Sequence, residues 1–141
     1  MSTFRHARDL AASPEAVFAA IQDPVRLARW WGPEGFTNTF HTFAFEEGGL
    51  WLFTMHGPDG SNYPNESRFL EIIPPSRLRI QHTNLPHFEL TITLDTIPTG
   101  TRITWVGVFE NRDFAENMRA FLETANEQNL DRLALEVGRG A

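Results

Sequence analysis

The chain has 141 residues, 41% hydrophobic and 21% charged, an ordinary globular composition long enough to bury a core. A net charge of −6 opposes a nucleic-acid partner, which needs a basic patch, and no apolar run approaches the ~20 residues of a membrane span. The absence of cysteine excludes disulfides, thiol nucleophiles and Cys-based zinc sites; with no apolar leader at Met1–His6, a single cytoplasmic domain is predicted.

In chain order, Arg5 to Leu10 is a weakly patterned strand. Ser13-Pro14-Glu15-Ala16 then reads as a helix start, with Ser13 as N-cap, Pro14 in the first turn and acidic Glu15 behind it. That helix turns Val17, Phe18 and Ile21 inward and stops at Asp23-Pro24, where Asp23 caps a second short helix to Trp30. The pair is too short for a DNA-reading helix-turn-helix, in agreement with the acidic balance.

Trp30 and Trp31, half of the chain's four tryptophans, are followed by Gly32, Pro33 and Gly35. Glycine loosens the backbone and proline removes a donor, so no long helix or strand runs through this point. The two rings either plug the end of a core or line the mouth of a cavity.

A run of strands follows. Phe40–Phe45 leads into a turn at Glu46-Glu47-Gly48-Gly49, and Trp51, Phe53 and Met55 then alternate with Leu50, Leu52 and Thr54. Gly57-Pro58-Asp59-Gly60-Ser61-Asn62 is a strong turn signal. Arg68–Ile73 closes at Pro74-Pro75, and Leu78–Thr83 follows. Phe88, Leu90, Ile92 and Leu94 alternate with polar partners, as a half-buried strand requires. Pro98-Thr99-Gly100 turns into Thr101–Phe109, where Ile103 and Trp105 share a face.

Asp113 to about Val137 predicts one long helix of about 25 residues, ~37 Å. Asp113 is its expected N-cap, with Glu116 in a capping-box position. Met118, Phe121, Leu122, Ala125, Leu130, Leu133 and Val137 form its expected apolar stripe. About seven strands, two short helices and a terminal helix make an α+β fold, in which an antiparallel sheet curls around that helix and a cavity tends to remain between them.

Five segments in this order resemble the START-like (SRPBCC) helix-grip superfamily, and within it the bacterial homologues of the activator of the heat-shock-protein-90 ATPase, C-terminal-domain-like. They are Ser13–Phe18, Trp30–Phe36, Gly48–Trp51 with Gly57–Gly60, Glu71–Leu78, and Leu130-Asp131-Arg132-Leu133. The resemblance implies a fold and a cavity more than a reaction: superfamily members hold lipids, sterols, polyketides or other apolar molecules, and some are cyclases or hydrolases. The co-chaperone that names the family has a second domain for which this chain has no room. Two departures from the family pattern stand out. Ala125-Asn126 replaces a common Gly-Trp pair on the long helix, and Ala44 and Glu46 stand where the family commonly has acidic and basic residues. Asn126 in place of a bulky ring would enlarge or polarise the cavity.

The family's usual charges at the intervening positions orient Trp51, Phe53 and Met55 inward, and the same reasoning gives Phe43 and Phe45, Phe88, Leu90 and Ile92, then Ile103 and Trp105. Together with Trp30, Trp31, Met118, Leu122 and Asn126 these supply the ligand-lining candidates, balanced against a plain packed core. None of the five histidines stands in a metal-ligand spacing, and no Gly-x-Ser-x-Gly elbow or phosphate-cradling loop occurs, so no metal or cofactor is expected. Glu46-Glu47 reads as a solvated turn and Asp131-Arg132 as a solvated helix face. His41, His82 and Asn126 are the polar residues expected inside, and His41 or His82 is the weak candidate for a catalytic base.

Three functions are therefore ranked. Binding of an apolar small molecule in a sheet–helix cavity comes first, a cyclase- or hydrolase-type enzyme second, and a co-chaperone-like interaction module third. Helix-grip proteins often form homodimers, but no stripe in this sequence marks such an interface.

Overall fold

The computed structural model describes residues 1–139. Seven strands form one antiparallel sheet: β1 (Ser2–Leu10), β2 (Thr37–Phe43), β3 (Leu50–His56), β4 (Asn62–Ile73), β5 (Arg77–His82), β6 (Phe88–Ile97) and β7 (Gly100–Phe109), in the order β1-β7-β6-β5-β4-β3-β2. Hairpins link β2 through β7 in sequence, and the chain's first strand pairs with its last. Helices α1 (Pro14–Gln22) and α2 (Pro24–Trp30) interrupt the sheet after β1. Helices α3 (Arg112–Asn117) and α4 (Arg119–Gly138) close the chain. This is the α+β helix grip, a curved sheet around a long C-terminal helix. Among the described residues no helix is long and apolar enough to cross a membrane.

Local chemistry sets the first helix pair. Ser13 accepts from the Ala16 amide at 3.2 Å, and Asp23 Oδ1 accepts from the Val25 amide at 2.9 Å, relieving donors that a helix start leaves unpaired. Asp23 ends α1 and begins α2 at once. Several strands run longer than predicted: β1 starts at Ser2, and β4 extends back to Asn62 because its first residues pair with the end of β3.

The single terminal helix is corrected to two. Asn111, not Asp113, caps α3 by accepting from the Phe114 amide at 3.0 Å. Met118 leaves helical geometry at φ −98°, ψ 6° and separates α3 from α4. The apolar stripe is shortened accordingly. Leu130 and Leu133 are buried in the core, whereas Met118 and Phe121 are exposed. With the break at Met118, α3 buries Ala115 and leaves Phe114 and Met118 at the surface.

The main core joins Val17, Phe18 and Ile21 of α1, Leu27 and Trp30 of α2, the inward residues of β3–β7, and Leu130 and Leu133 of α4. A smaller cluster of Phe4, Phe109 and Ala115, with Phe88 and Leu122 against it, lies where α3 meets the sheet. On β1, His6 lies between two carboxylates of α4, with Nδ1 2.5 Å from Glu127 and Nε2 3.2 Å from Glu123. Arg8 adds Asp131 and Glu127. These bridges fasten α4 to the β1 edge.

Candidate binding face between sheet and helix

The inward face of the sheet carries an aromatic wall. Trp51 and Phe53 on β3 are buried, with ring centroids 4.3 Å apart, and Phe69 on β4 stacks at 5.8 Å from Trp51. Trp31 meets Trp51 edge-on at 4.9 Å and lies tilted against Trp105 at 5.6 Å. Phe40, Phe43 and Phe45 close the β2 side, Phe43 stacking on Phe45 at 5.6 Å. Such offset and edge-on pairs are the arrangements the ring quadrupoles favour.

A β-bulge explains how β2 supplies two of these rings. Phe40 pairs with Phe53 and Thr42 with Leu52, leaving His41 as the extra residue. The extra residue re-aims the strand, so Phe40 and Phe43 both join the core cluster despite their odd spacing. The same bulge corrects the inward placement expected of His41. It is exposed, its Nε2 2.9 Å from the Thr54 hydroxyl.

His82 does lie inside. Burial pushes its imidazole below the usual histidine range. Nδ1 donates to the Pro86 carbonyl at 2.7 Å, Nε2 lies 2.7 Å from Asn65 Oδ1, and the ring stacks on Phe88 at 4.6 Å. Strand register sets a lateral row across the inner face: Phe43, Trp51, Ser67, His82, Phe88 and Phe109. Ser67 is thus a small residue between two large rings, and it is buried.

The other expected lining residues divide. Leu90, Ile92 and Trp105 are buried in the core. Met55, Leu122 and Asn126 are half-buried, and Met118 lies on the surface. Trp30 is the plug: 1% exposed, its Nε1 donating to the Ala20 carbonyl at 2.9 Å. Trp31 is half-buried and its ring packs on the wall.

Three α4 residues missed in the sequence hold the Trp30–Phe36 segment. Asn129, buried, donates to the Trp30 carbonyl at 2.9 Å and accepts from the Gly32 amide at 3.3 Å. Arg132, expected on a solvated face, instead sends its guanidinium into the loop. Nη1 donates to the carbonyls of Trp31, Gly32 and Pro33 at 3.1, 3.0 and 2.9 Å, and Nη2 to those of Arg29 and Phe36 at 2.7 and 3.0 Å. One turn later, buried Glu136 binds Arg26 and Arg29, each at 3.0 Å. The Asn129/Arg132/Glu136 spacing places all three on one helix face, but only the fold shows that the loop lies there.

Elsewhere the surface is hollowed beside the β5–β6 loop, in an open depression of about 650 Å³ lined by Leu85, Pro86, His87, Glu110, Asn111 and Phe114. Among the described residues no group of three or more His, Asp or Glu side chains is placed to hold a metal ion.

Comparison with known proteins agrees with this geometry. The family model described as Activator of Hsp90 ATPase homolog 1-like protein matches residues 11–138. A crystal structure of a Chromobacterium violaceum protein is similar at 29% identity and a TM-score of 0.84, with 96% of each chain covered. A solution structure from Arthrobacter aurescens is similar at 25% identity and 0.89, covering 99% of this chain and 87% of that one. The AHSA1 protein of Silicibacter pomeroyi shares the fold at 24% identity and 0.81, covering 99% and 100%. No curated protein matches. The chain therefore belongs to the Activator of Hsp90 ATPase homolog 1-like protein family, and its fold is the START-like helix grip.

Proposed function

We propose that the protein binds an apolar small molecule, lipid-like or polyketide/aromatic in character, between the aromatic wall and the first half of α4. The supporting observation is a difference between the two ends of the interior. Where α1 covers the sheet, Val17, Ile21, Leu94 and Ile103 are buried in a packed core. Elsewhere the packing loosens: Leu122, Ala125 and Asn126 in the first half of α4 are only half-buried and Phe121 is exposed, while half-buried Phe36 of the Trp30–Phe36 loop meets exposed Tyr63 of β4 with ring centroids 6.0 Å apart. An apolar wall with a few polar groups at an open end has the character of a small-molecule site. Trp31 stands between wall and loop as its gate.

The acid–base alternative finds less support. A base must present a free nitrogen to its substrate. His82 already has both ring nitrogens engaged by Pro86 and Asn65, and His41 faces outward.

Native mass spectrometry of detergent-free protein, followed by denaturing extraction and a panel of fatty acids, sterols and aromatic polyketides, tests the proposal. The expected result is a stoichiometric adduct, or a panel member that quenches tryptophan fluorescence saturably. An empty extract together with no saturable binder in the panel would overturn it.

A further inference from the structure

From one unpartnered atom in the aromatic wall we infer that the ligand carries a hydrogen-bond acceptor, a carbonyl-type oxygen on an apolar body, received by the indole N–H of Trp51. This rests on the small-molecule reading above and specifies its ligand class. Trp51 is 1% exposed, yet its Nε1 has no hydrogen-bond partner among the described residues. Trp30, equally buried, satisfies its own Nε1 on the Ala20 carbonyl. Burial alone therefore does not force an indole in this protein to go unpaired.

A buried donor without an acceptor costs about 1–3 kcal/mol. Buried tryptophans ordinarily find a partner for that N–H. The rings packed on Trp51 offer its N–H no lone pair: Phe53 and Phe69 stack on it, and Trp31, Phe40 and Phe43 meet it edge-on. On the β4 side its lateral neighbour is Ser67, the one small residue between the rings of Trp51 and His82, and the Ser67 hydroxyl does not engage the indole N–H. Beyond Ser67 stands His82, fixed by Asn65 and Pro86. A neutral oxygen fits this setting better than a carboxylate. No cationic side chain lies in the lateral row, and an unpaired anion in so apolar a place would carry a severe desolvation penalty. The class is therefore a ketone, ester, lactone or quinone oxygen on a hydrocarbon or aromatic frame.

Two matched probes separate the donor from the pocket: 2-acetylnaphthalene, and 2-isopropenylnaphthalene, in which a methylene replaces the oxygen at nearly constant shape. Wild-type protein should bind the ketone roughly three- to tenfold tighter than the alkene, the range expected of one hydrogen bond. Trp51→Phe should bring that ratio to about one. In ¹⁵N-labelled wild-type protein, the indole N–H resonance that is missing from the variant should move downfield with the ketone and not with the alkene. If both probes bind but the resonance ignores the ketone, or the ratio persists in Trp51→Phe, the acceptor assignment is wrong while the apolar site stands. If neither probe binds and the broader panel is also empty, the site itself falls. If the variant folds poorly, triple-resonance assignment of the four indole N–H signals in wild-type protein identifies the Trp51 resonance, and its shift decides the matter.

Discussion

Arg132 on α4 donates to the carbonyl oxygen of Gly32 at 3.0 Å, and the same guanidinium reaches four further carbonyls between Arg29 and Phe36. A loop with two tryptophans at its head is thereby wrapped around a cation from the opposite end of the chain. Burial pushes the Arg132 guanidinium below its usual value, but the five carbonyl oxygens supply acceptors for the charged form. Gly32 fits the same closure. Its φ is +97°, and a Cβ there would lie 2.6 Å from Met55 Cε.

Replacing Arg132 with methionine should therefore destabilise the protein by about 2–4 kcal/mol, since several part-buried carbonyls lose their donor together. Lysine, a point charge without the planar fork, should recover only part of this. Gly32→Ala should also lower stability, through left-handed strain as well as the Met55 contact. Chemical denaturation of the three variants measures both effects. A near-neutral Arg132→Met would show that the loop closes without the cation.

Trp30 and Trp31 should behave differently despite being neighbours. Trp30→Ala should lose about 3–5 kcal/mol, the range for emptying a buried aromatic site. Trp30→Phe should lose less, chiefly the hydrogen bond to Ala20. Trp31→Ala, at a half-buried position, should cost less stability than Trp30→Ala and should weaken the binding of any panel ligand more than tenfold. Paired unfolding and binding titrations check this, and equal losses of stability would make the whole segment structural.

Glu136 gives a pH dependence of defined sign. Hydrogen bonds from Arg29 first, and then Arg26, hold its carboxyl below the usual carboxylate range despite burial. A group depressed in the folded state contributes stability that is complete above its unfolded pKa, near 4.5, and is lost as pH falls through the lower folded value. Glu127 is depressed in the same sense, chiefly by its hydrogen bond with His6. Glu136→Gln should cost roughly 3 kcal/mol or more at neutral pH by leaving two arginines unanswered. It should also flatten the decline in stability below pH 4.5. Unfolding midpoints from pH 3 to 7 give the comparison, and an unchanged acid limb would remove Glu136 from it.

His82 acts in the same direction at higher pH. Its burial lowers the folded pKa from 6.5, so the folded state resists protonation that the unfolded chain accepts. Stability should be complete above pH 6.5 and fall as pH drops toward the folded value. His82→Phe would keep a ring beside Phe88 but orphan Asn65 and the Pro86 carbonyl. It should be less stable than wild type at pH 7.5 and show a shallower decline between pH 6.5 and 5. A parallel pair of stability curves would contradict this.

How much of the fold was legible follows from the range of the signals. Ser13 and Asp23 are read correctly as caps because a capping bond spans two or three residues. Leu90, Ile92 and Leu94 are read as one buried face because alternation is local. The family pattern then supplied the order in which such pieces join. His41 failed because a bulge depends on pairing with β3, which no window of β2 contains. Met118 failed because helical periodicity continues through Asn117 and Met118 in the sequence while the backbone does not.

What the sequence determined by itself was the set of local choices: two capped helices, seven alternating or turn-bounded strands, a terminal helical segment, and an aromatic supply without cysteine chemistry. What only the tertiary structure decided was which polar groups meet. Asn129, Arg132 and Glu136 look like surface residues until the Trp30–Phe36 loop is laid across them, nearly a hundred residues away in the chain. Trp51 looks like any core tryptophan until its indole N–H proves to have no partner behind the rings packed on it. Hydrophobic patterning is written residue by residue, whereas hydrogen-bond satisfaction is a property of pairs and exists only once the chain has closed.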